Sequence, residues 1–246
     1  MRNLKMVIEY DGTNFFGWQY QSDRRTVQGE IECALKKITG EEIRLIGAGR
    51  TDHGVHAIGQ VANFKTNTSF PIENLKKALN SLINEDIYIK EITEVPPEFH
   101  ARFSARSKIY QYKITTRYSP LKRNYYWFVD YVLNLKQMQM AGQYLIGEHD
   151  FKNLSVADGD NYIEKNGKNT VCTVCNLSLT ESNIDIIISI EADRFLRKMV
   201  RGIVGFLIDV GRGRFQPDAV KKIFAEGLNG LYFAPAHGLY LVEVKY

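Results

Sequence analysis

The chain has 246 residues and a mass of 28.2 kDa, with 44% apolar residues, 24% charged residues and a net charge of +4. This composition excludes a disordered chain, a collagen-like fibre and a disulfide scaffold, and the length suits one large domain or two smaller ones. A charge of +4 names no partner by itself; its distribution along the chain has to do that.

Leu4, Met6, Ile8 and Tyr10 alternate and predict a strand over 4–10. Thr26 is placed to cap a helix whose apolar residues Val27, Ile31, Ala34, Leu35 and Ile38 fall at helical spacing, with Gly40 as its stop. Two strands, 43–47 and 55–64, flank a tight, glycine-rich segment. A second helix carries Leu75, Ala78, Leu79 and Leu82 on one face, and a short strand at 87–89 follows.

The later residues give a comparable series. A strand over 108–116 precedes a helix marked by Leu135, Met138, Ala141 and Leu145. Segments 171–180 and 184–191 form a hairpin around Glu181, Ser182 and Asn183. A long helix over 195–210, a shorter one from Pro217 towards Gly227 and a strand over 239–245 complete the chain. The predicted class is therefore α+β. Two similar β-α-β-β-α-β halves, residues 1–104 and 105–246, carry mostly antiparallel sheets joined into one central sheet. The helices pack outside, and the active-site cleft lies between the halves.

Three cysteines, Cys33, Cys172 and Cys175, are too few and too odd a set for a secreted disulfide framework. The N-terminal residues lack a basic region followed by a long apolar run, and the apolar stretch from Gly202 to Ile208 is far short of a membrane span. A reduced, cytoplasmic protein with no membrane partner is expected. Cys172 and Cys175 stand three apart on a predicted strand, which points their thiols to opposite faces and argues against zinc or redox chemistry.

The segment Gly49-Arg50-Thr51-Asp52-His53-Gly54-Val55-His56-Ala57 is the most unusual in the chain. Glycines at 47, 49 and 54 surround a guanidinium and a carboxylate in a loop held by two strands, where catalytic side chains often lie. A phosphate-binding loop is disfavoured, because the segment lacks a Gly-Lys-Ser/Thr ending and no helix follows it. His53 and His56 as metal ligands lack a nearby acid or cysteine cluster. A plain turn closed by the Asp52 side chain stays open beside a catalytic role.

Residues 50–57 resemble the R-T-D-x-G-V-H-A signature of the tRNA pseudouridine synthase A family. The likeness extends through Ile8-Glu9-Tyr10-Asp11-Gly12, Gly17-Trp18-Gln19, Thr26-Val27-Gln28, residues 99–105, Tyr110-Gln111-Tyr112, Met199-Val200-Arg201 with Gly202-Ile203-Val204-Gly205, and Gly238-Leu239-Tyr240-Leu241-Val242. The resemblance implies an isomerase that converts uridine to pseudouridine at positions 38, 39 and 40 of the tRNA anticodon stem-loop. It implies no cofactor and no metal, and a homodimer with the RNA crossing both subunits.

The resemblance makes Asp52 the catalytic carboxylate, Arg201 its ion-pair partner and Tyr110 the active-site phenol. Tyr110 would stack on the extruded uracil or move a proton, and Tyr112, two residues on, shares its face. Arg50 is a candidate to fill the place of the flipped nucleotide or to hold its phosphate. His56 and Gln60 are weaker candidates for RNA contact, and Leu239 for packing beside the base. In the family the segment near 169–174 reads N-T-V-R-T; here Asn169-Thr170-Val171-Cys172-Thr173 puts Cys172 where a base usually stands.

Charge is unevenly spread. From Val95 to Asn124 seven Lys and Arg face the single acid Glu98, a local excess of +6. From Ala192 to Arg214 six basic residues face Asp193 and Asp209, an excess of +4. Aromatic residues such as Tyr110, Tyr118 and Trp127 interleave with the first stretch. Cations for phosphates beside rings for bases form the footprint of an RNA-binding surface.

Overall fold

A computed structural model describes residues 1–156, 170–228 and 230–246. Asn169, within the segment compared above, lies outside the described residues. The chain forms two compact units, residues 1–106 with 240–246, and residues 107–239. Both are mixed α+β with mostly antiparallel strands, the predicted class.

In the first unit, β1 (Arg2–Tyr10) pairs antiparallel with β3 (His56–Thr66) on one side and with β4 (Ile87–Val95) on the other. The two-residue β2 (Ile46–Gly47) lies against β3, and β10 (Leu239–Lys245) joins β3 in parallel through Tyr240 and Leu241. Leu4, Met6, Ile8 and Tyr10 are all buried, as the alternation predicts. Helix α1 (Val27–Thr39) starts and stops at the predicted residues. The Thr26 hydroxyl accepts the Gly29 N–H, and Gly40 closes the helix at φ 73°, where a side chain would be strained. Helix α2 (Ile72–Leu82) buries Leu75 and Leu79. Leu82, predicted on that face, is exposed instead, because the chain turns extended at Ile83, which is buried in its place.

Two strands differ in length from the prediction by three residues or more, each for a visible reason. Residues 43–45 do not join β2. The Leu45 N–H donates to the Glu32 carboxylate and its carbonyl accepts from Gln28, so α1 side chains replace a strand partner. β4 runs to Val95 rather than 89. Lys90 is an extra residue between the pairs Ile8–Ile89 and Val7–Glu91, and this bulge puts two exposed residues in succession and breaks the alternation.

In the second unit, β5 (Ser107–Thr115) pairs with β9 (Asp185–Ala192), β9 with β8 (Val171–Ser182) and β8 with β7 (Gly147–Asp150), all antiparallel. The short β6 (Trp127–Phe128) adds in parallel to β5. Neither β6 nor β7 was predicted; at two and four residues they carry too little alternation to read. The β8–β9 hairpin turns at Asn183, whose φ of 55° suits asparagine. Helix α3 (Leu135–Gln143) is two residues shorter than its apolar marks, since Leu145 lies in the turn that follows. Cys172 and Cys175 separate as expected, one buried and one exposed, and burial pushes the Cys172 thiol up to about 11.

Helix α4 (Met199–Gly211) begins four residues later than predicted. Lys198 sits at φ 60°, outside helical geometry, and the Asp193 carboxylate holds the preceding loop by accepting the N–H groups of Arg194 and Thr173. Helix α5 (Ala219–Glu226) follows. Apart from Arg201, every residue of α4 is buried, so this helix is apolar nearly all round. Gly202 and Gly205 let it meet other backbone directly. A Cβ on Gly202 would lie 2.3 Å from the Leu154 carbonyl oxygen, and one on Gly205 2.1 Å from that of Tyr232. Gly205→Ala is therefore expected to destabilise the protein by about 1–3 kcal/mol, read as a lower denaturation midpoint. An unchanged midpoint would show that the 230–235 segment shifts freely.

Candidate active site

The Asp52 loop, residues 48–55, spans β2 and β3 in the first unit. Its conformation is set by backbone hydrogen bonds to a second loop, residues 12–18. The Trp18 N–H donates to the Thr51 carbonyl (3.1 Å), the Gly54 N–H to the Phe15 carbonyl (3.4 Å), and the Val55 N–H closes the turn on the Asp52 carbonyl (3.2 Å). The His53 ring donates through Nδ1 to the Phe15 carbonyl at 2.7 Å and lies 4.9 Å from the Phe16 ring. Glycines permit this approach. Gly17 at φ 85° would put a Cβ 2.4 Å from the Thr51 carbonyl oxygen, and Gly12 one 2.0 Å from that of Val55. Gly54 has φ 76° within the turn itself.

The second loop is anchored in turn. Arg25 makes two hydrogen bonds to the Asp86 carboxylate, at 2.6 and 2.9 Å, and lies over the Phe15 ring. The carboxylate raises the pKa of Arg25 still further, so this link persists at all working pH. Asp52 is half-buried, with its backbone fixed on both sides. Arg50, two residues earlier, is exposed.

His56 and Gln60 stand on β3 beneath the loop and are both buried. His56 Nδ1 accepts the Gly12 N–H at 3.0 Å, and its ring stacks on Tyr240 at 4.7 Å. The Gln60 amide donates to the Gly49 carbonyl at 2.8 Å. Gln60 thus supports the Asp52 loop directly, and His56 supports the second loop that packs against it.

The second unit holds the remaining predicted residues. Tyr110 and Tyr112 are buried on one face of β5, opposite Ile190 and Ile188. The Tyr110 ring meets Phe195 edge-on at 4.9 Å. The Tyr112 hydroxyl donates to the Pro235 carbonyl at 2.7 Å. Burial pushes this phenol well above its ordinary value, against the pull of the nearby Arg201 charge. Arg201 is half-buried on α4, and both its backbone and its side chain engage Ala234. Its Nε donates to the Ala234 carbonyl at 2.6 Å, and its own carbonyl accepts the Ala234 N–H at 3.0 Å. Leu239 is buried at the start of β10.

Residues 230–235 thus form a strap along α4 that fixes Arg201 and Tyr112 together. Sequence reasoning missed this strap, because it grips through backbone carbonyls, which leave no residue-type signal. It also missed the internal use of two cations in the second basic stretch: Arg212 and Arg214 both pair with the buried Asp209. Arg102, Arg106, Arg117 and Arg123 of the first stretch are exposed, whereas Lys122 binds Asp185 and Lys108 is buried. Among the described residues, no cluster of three or more His, Cys, Asp or Glu is arranged to hold a metal ion, and no helix is long and apolar enough to cross a membrane.

Comparison with known proteins gives these residues a context. A family model described as tRNA pseudouridine synthase matches residues 6–104 and 141–246. The tRNA pseudouridine synthase A of Thermoanaerobacter sp. (strain X514) is 46% identical over 250 residues, covering 100% of both chains. That of Caldicellulosiruptor bescii is also 46% identical, with the same coverage. The tRNA pseudouridine synthase A 2 of Clostridium tetani is 44% identical over 251 residues, covering 100% of this chain and 99% of its own. Both match segments contain elements described above, the Asp52 loop in the first and α4 with its strap in the second, and the chain belongs to the tRNA pseudouridine synthase family.

Proposed function

We propose that the protein converts uridine to pseudouridine at positions 38, 39 and 40 of the tRNA anticodon stem-loop, with Asp52 as the catalytic carboxylate. As a member of its family it is an isomerase. The reaction breaks the C1′–N1 bond, turns the uracil and joins C5 to C1′. A proton leaves C5 and one is gained at N1, so nothing is lost overall. The observation that carries this reading is the likeness along the whole chain to proteins named tRNA pseudouridine synthase A.

Asp52 acts on the nucleoside as an ionised carboxylate, either as nucleophile or as stabiliser of positive charge at C1′. Tyr110 serves the uracil by stacking or by taking part in proton transfer from C5. Arg201 favours the ionised carboxylate. Arg50, exposed at the head of the loop, takes the phosphate or the vacated place of the flipped nucleotide, while Tyr112 and Leu239 support the base. His56 and Gln60 serve RNA binding by holding the Asp52 loop and the loop packed against it. The reading places the protein in the cytoplasm as a homodimer; sedimentation of the protein as a 28.2 kDa monomer would contradict the dimer.

The test uses unmodified tRNA transcripts that keep uridine at only one of positions 38, 39 or 40. Chemical mapping after incubation is expected to find pseudouridine at each position offered. Tight tRNA binding with no pseudouridine at any of them would overturn the reading and favour a folding chaperone.

A further inference from the structure

We infer that Tyr10 and Thr51 are positioning residues for Asp52, acting through one buried hydroxyl–hydroxyl hydrogen bond. The inference rests on the reading of Asp52 as the catalytic carboxylate. It goes beyond that reading, because neither residue touches the substrate in it.

Thr51 immediately precedes Asp52, and its side chain points away from solvent. Its hydroxyl lies 2.7 Å from the Tyr10 phenol, and its carbonyl accepts the Trp18 N–H. The residue is thus held on both its backbone and its side chain. Tyr10 ends β1 and is 3% exposed. Gln60 is a second hydrogen-bond neighbour of its phenol, and the Gln60 amide reaches on to the Gly49 carbonyl. One connected set of side chains therefore fixes the chain at 49 and at 51, on both sides of Arg50 and directly before Asp52.

The bond is durable. Burial raises the Tyr10 phenol far above its ordinary value, so it stays a neutral hydrogen-bonding group over the whole working range. Loss of either hydroxyl leaves the other buried with one partner fewer. The Tyr10 ring, 6.3 Å from that of Trp18, keeps its packing when only the hydroxyl is removed. The consequence expected is a shift of the Asp52 carboxylate from its working geometry rather than a loss of the fold. Misplacement of a reacting group by about 1 Å can cost 10²-fold in rate.

The test measures kcat and KM for pseudouridine formation with Tyr10→Phe, Thr51→Val, Thr51→Ser, the double variant Tyr10→Phe/Thr51→Val, and Asp52→Asn. Tyr10→Phe and Thr51→Val are each expected to lower kcat by about tenfold to a hundredfold at KM within about twofold of wild type. The double variant is expected to fall no further than either single one, because both remove the same bond. Thr51→Ser, which keeps the hydroxyl, is expected to retain most of the rate. A kcat within twofold of wild type in both Tyr10→Phe and Thr51→Val would overturn the inference, as would a Thr51→Ser variant as impaired as Thr51→Val. Should Tyr10→Phe fail to fold, the comparison of Thr51→Val with Thr51→Ser decides. If Asp52→Asn keeps the wild-type rate, the catalytic reading of Asp52 fails and takes this inference with it. If Asp52→Asn is inactive and the Tyr10 and Thr51 variants are normal, the inference alone fails.

Discussion

Asp52→Asn is expected to lower the rate of pseudouridine formation by roughly 10³-fold or more, the scale on which removal of a reacting group acts. The replacement is nearly isosteric, so the change is confined to the charge and to the chemistry the charge permits. The contacts that shape the loop are untouched: the Asp52 carbonyl accepts the Val55 N–H, Thr51 is held by Trp18, and Gly54 by Phe15. The expected signature is therefore a collapse of kcat with tRNA affinity and thermal midpoint close to wild type. Single-turnover measurement separates the chemical step from product release. A rate within tenfold of wild type would show that another group performs the chemistry.

The largest expected effect on stability lies in the second unit. Asp209 is 0% exposed, with Arg212 Nη2 at 2.8 Å and Arg214 Nη1 at 3.1 Å from its carboxylate. Burial raises its carboxyl above the ordinary value, while the two guanidiniums pull it back. Arg212 also lies over the Tyr131 ring, and Arg214 donates to the Gly230 carbonyl, where the strap along α4 begins. The Tyr232 phenol on that strap is pushed up to about 12, by burial first and then by the Asp209 charge.

Asp209→Ala removes the anion and leaves two cations beside a buried cavity. Breaking a buried pair on one side costs about 3–5 kcal/mol. The partial exposure of both arginines places the expected loss near about 3 kcal/mol, read from the denaturant midpoint. A loss below about 1 kcal/mol would mean that both guanidiniums turn out to water at no cost. Because the strap also grips Arg201, the variant that remains folded is expected to lose activity in step with the strap.

Much of this architecture was legible in local sequence. Helix α1 is bounded by Thr26 and Gly40, two residues that act on their own neighbours, and it was placed correctly at both ends. The β8–β9 hairpin was legible because its turn residue, Asn183, is characteristic, and β10 was placed over its full observed range. The errors arose where a distant group took a backbone bond. Glu32 and Gln28 took those of Leu45, Asp193 held the loop before α4, and a bulge at Lys90 shifted the pattern of β4. The candidate site divides in the same way. Asp52 stood out because glycines and a charge gather in one short segment between strands. The roles of Phe15, Trp18 and Tyr10 as partners of that segment did not, since they bind it through a backbone carbonyl, a backbone N–H and a hydroxyl from elsewhere in the chain. The +4 of the second basic stretch overstated the surface charge, because Arg212 and Arg214 answer an interior anion.

The strand β10 gives the protein a built-in order of assembly. The first unit contains residues 1–106, yet its sheet is finished only by residues 240–246. On the ribosome, the strand carrying the Asp52 loop therefore emerges early and waits, with one edge unpaired at His56 and Ala57, while the whole second unit is synthesised. Tyr240 then stacks on His56, the backbone of Val242 closes against Gly59, and Lys245 accepts the Arg106 N–H. The nascent chain thus gains a finished support for the strand that carries the Asp52 loop only after the whole second unit has been translated.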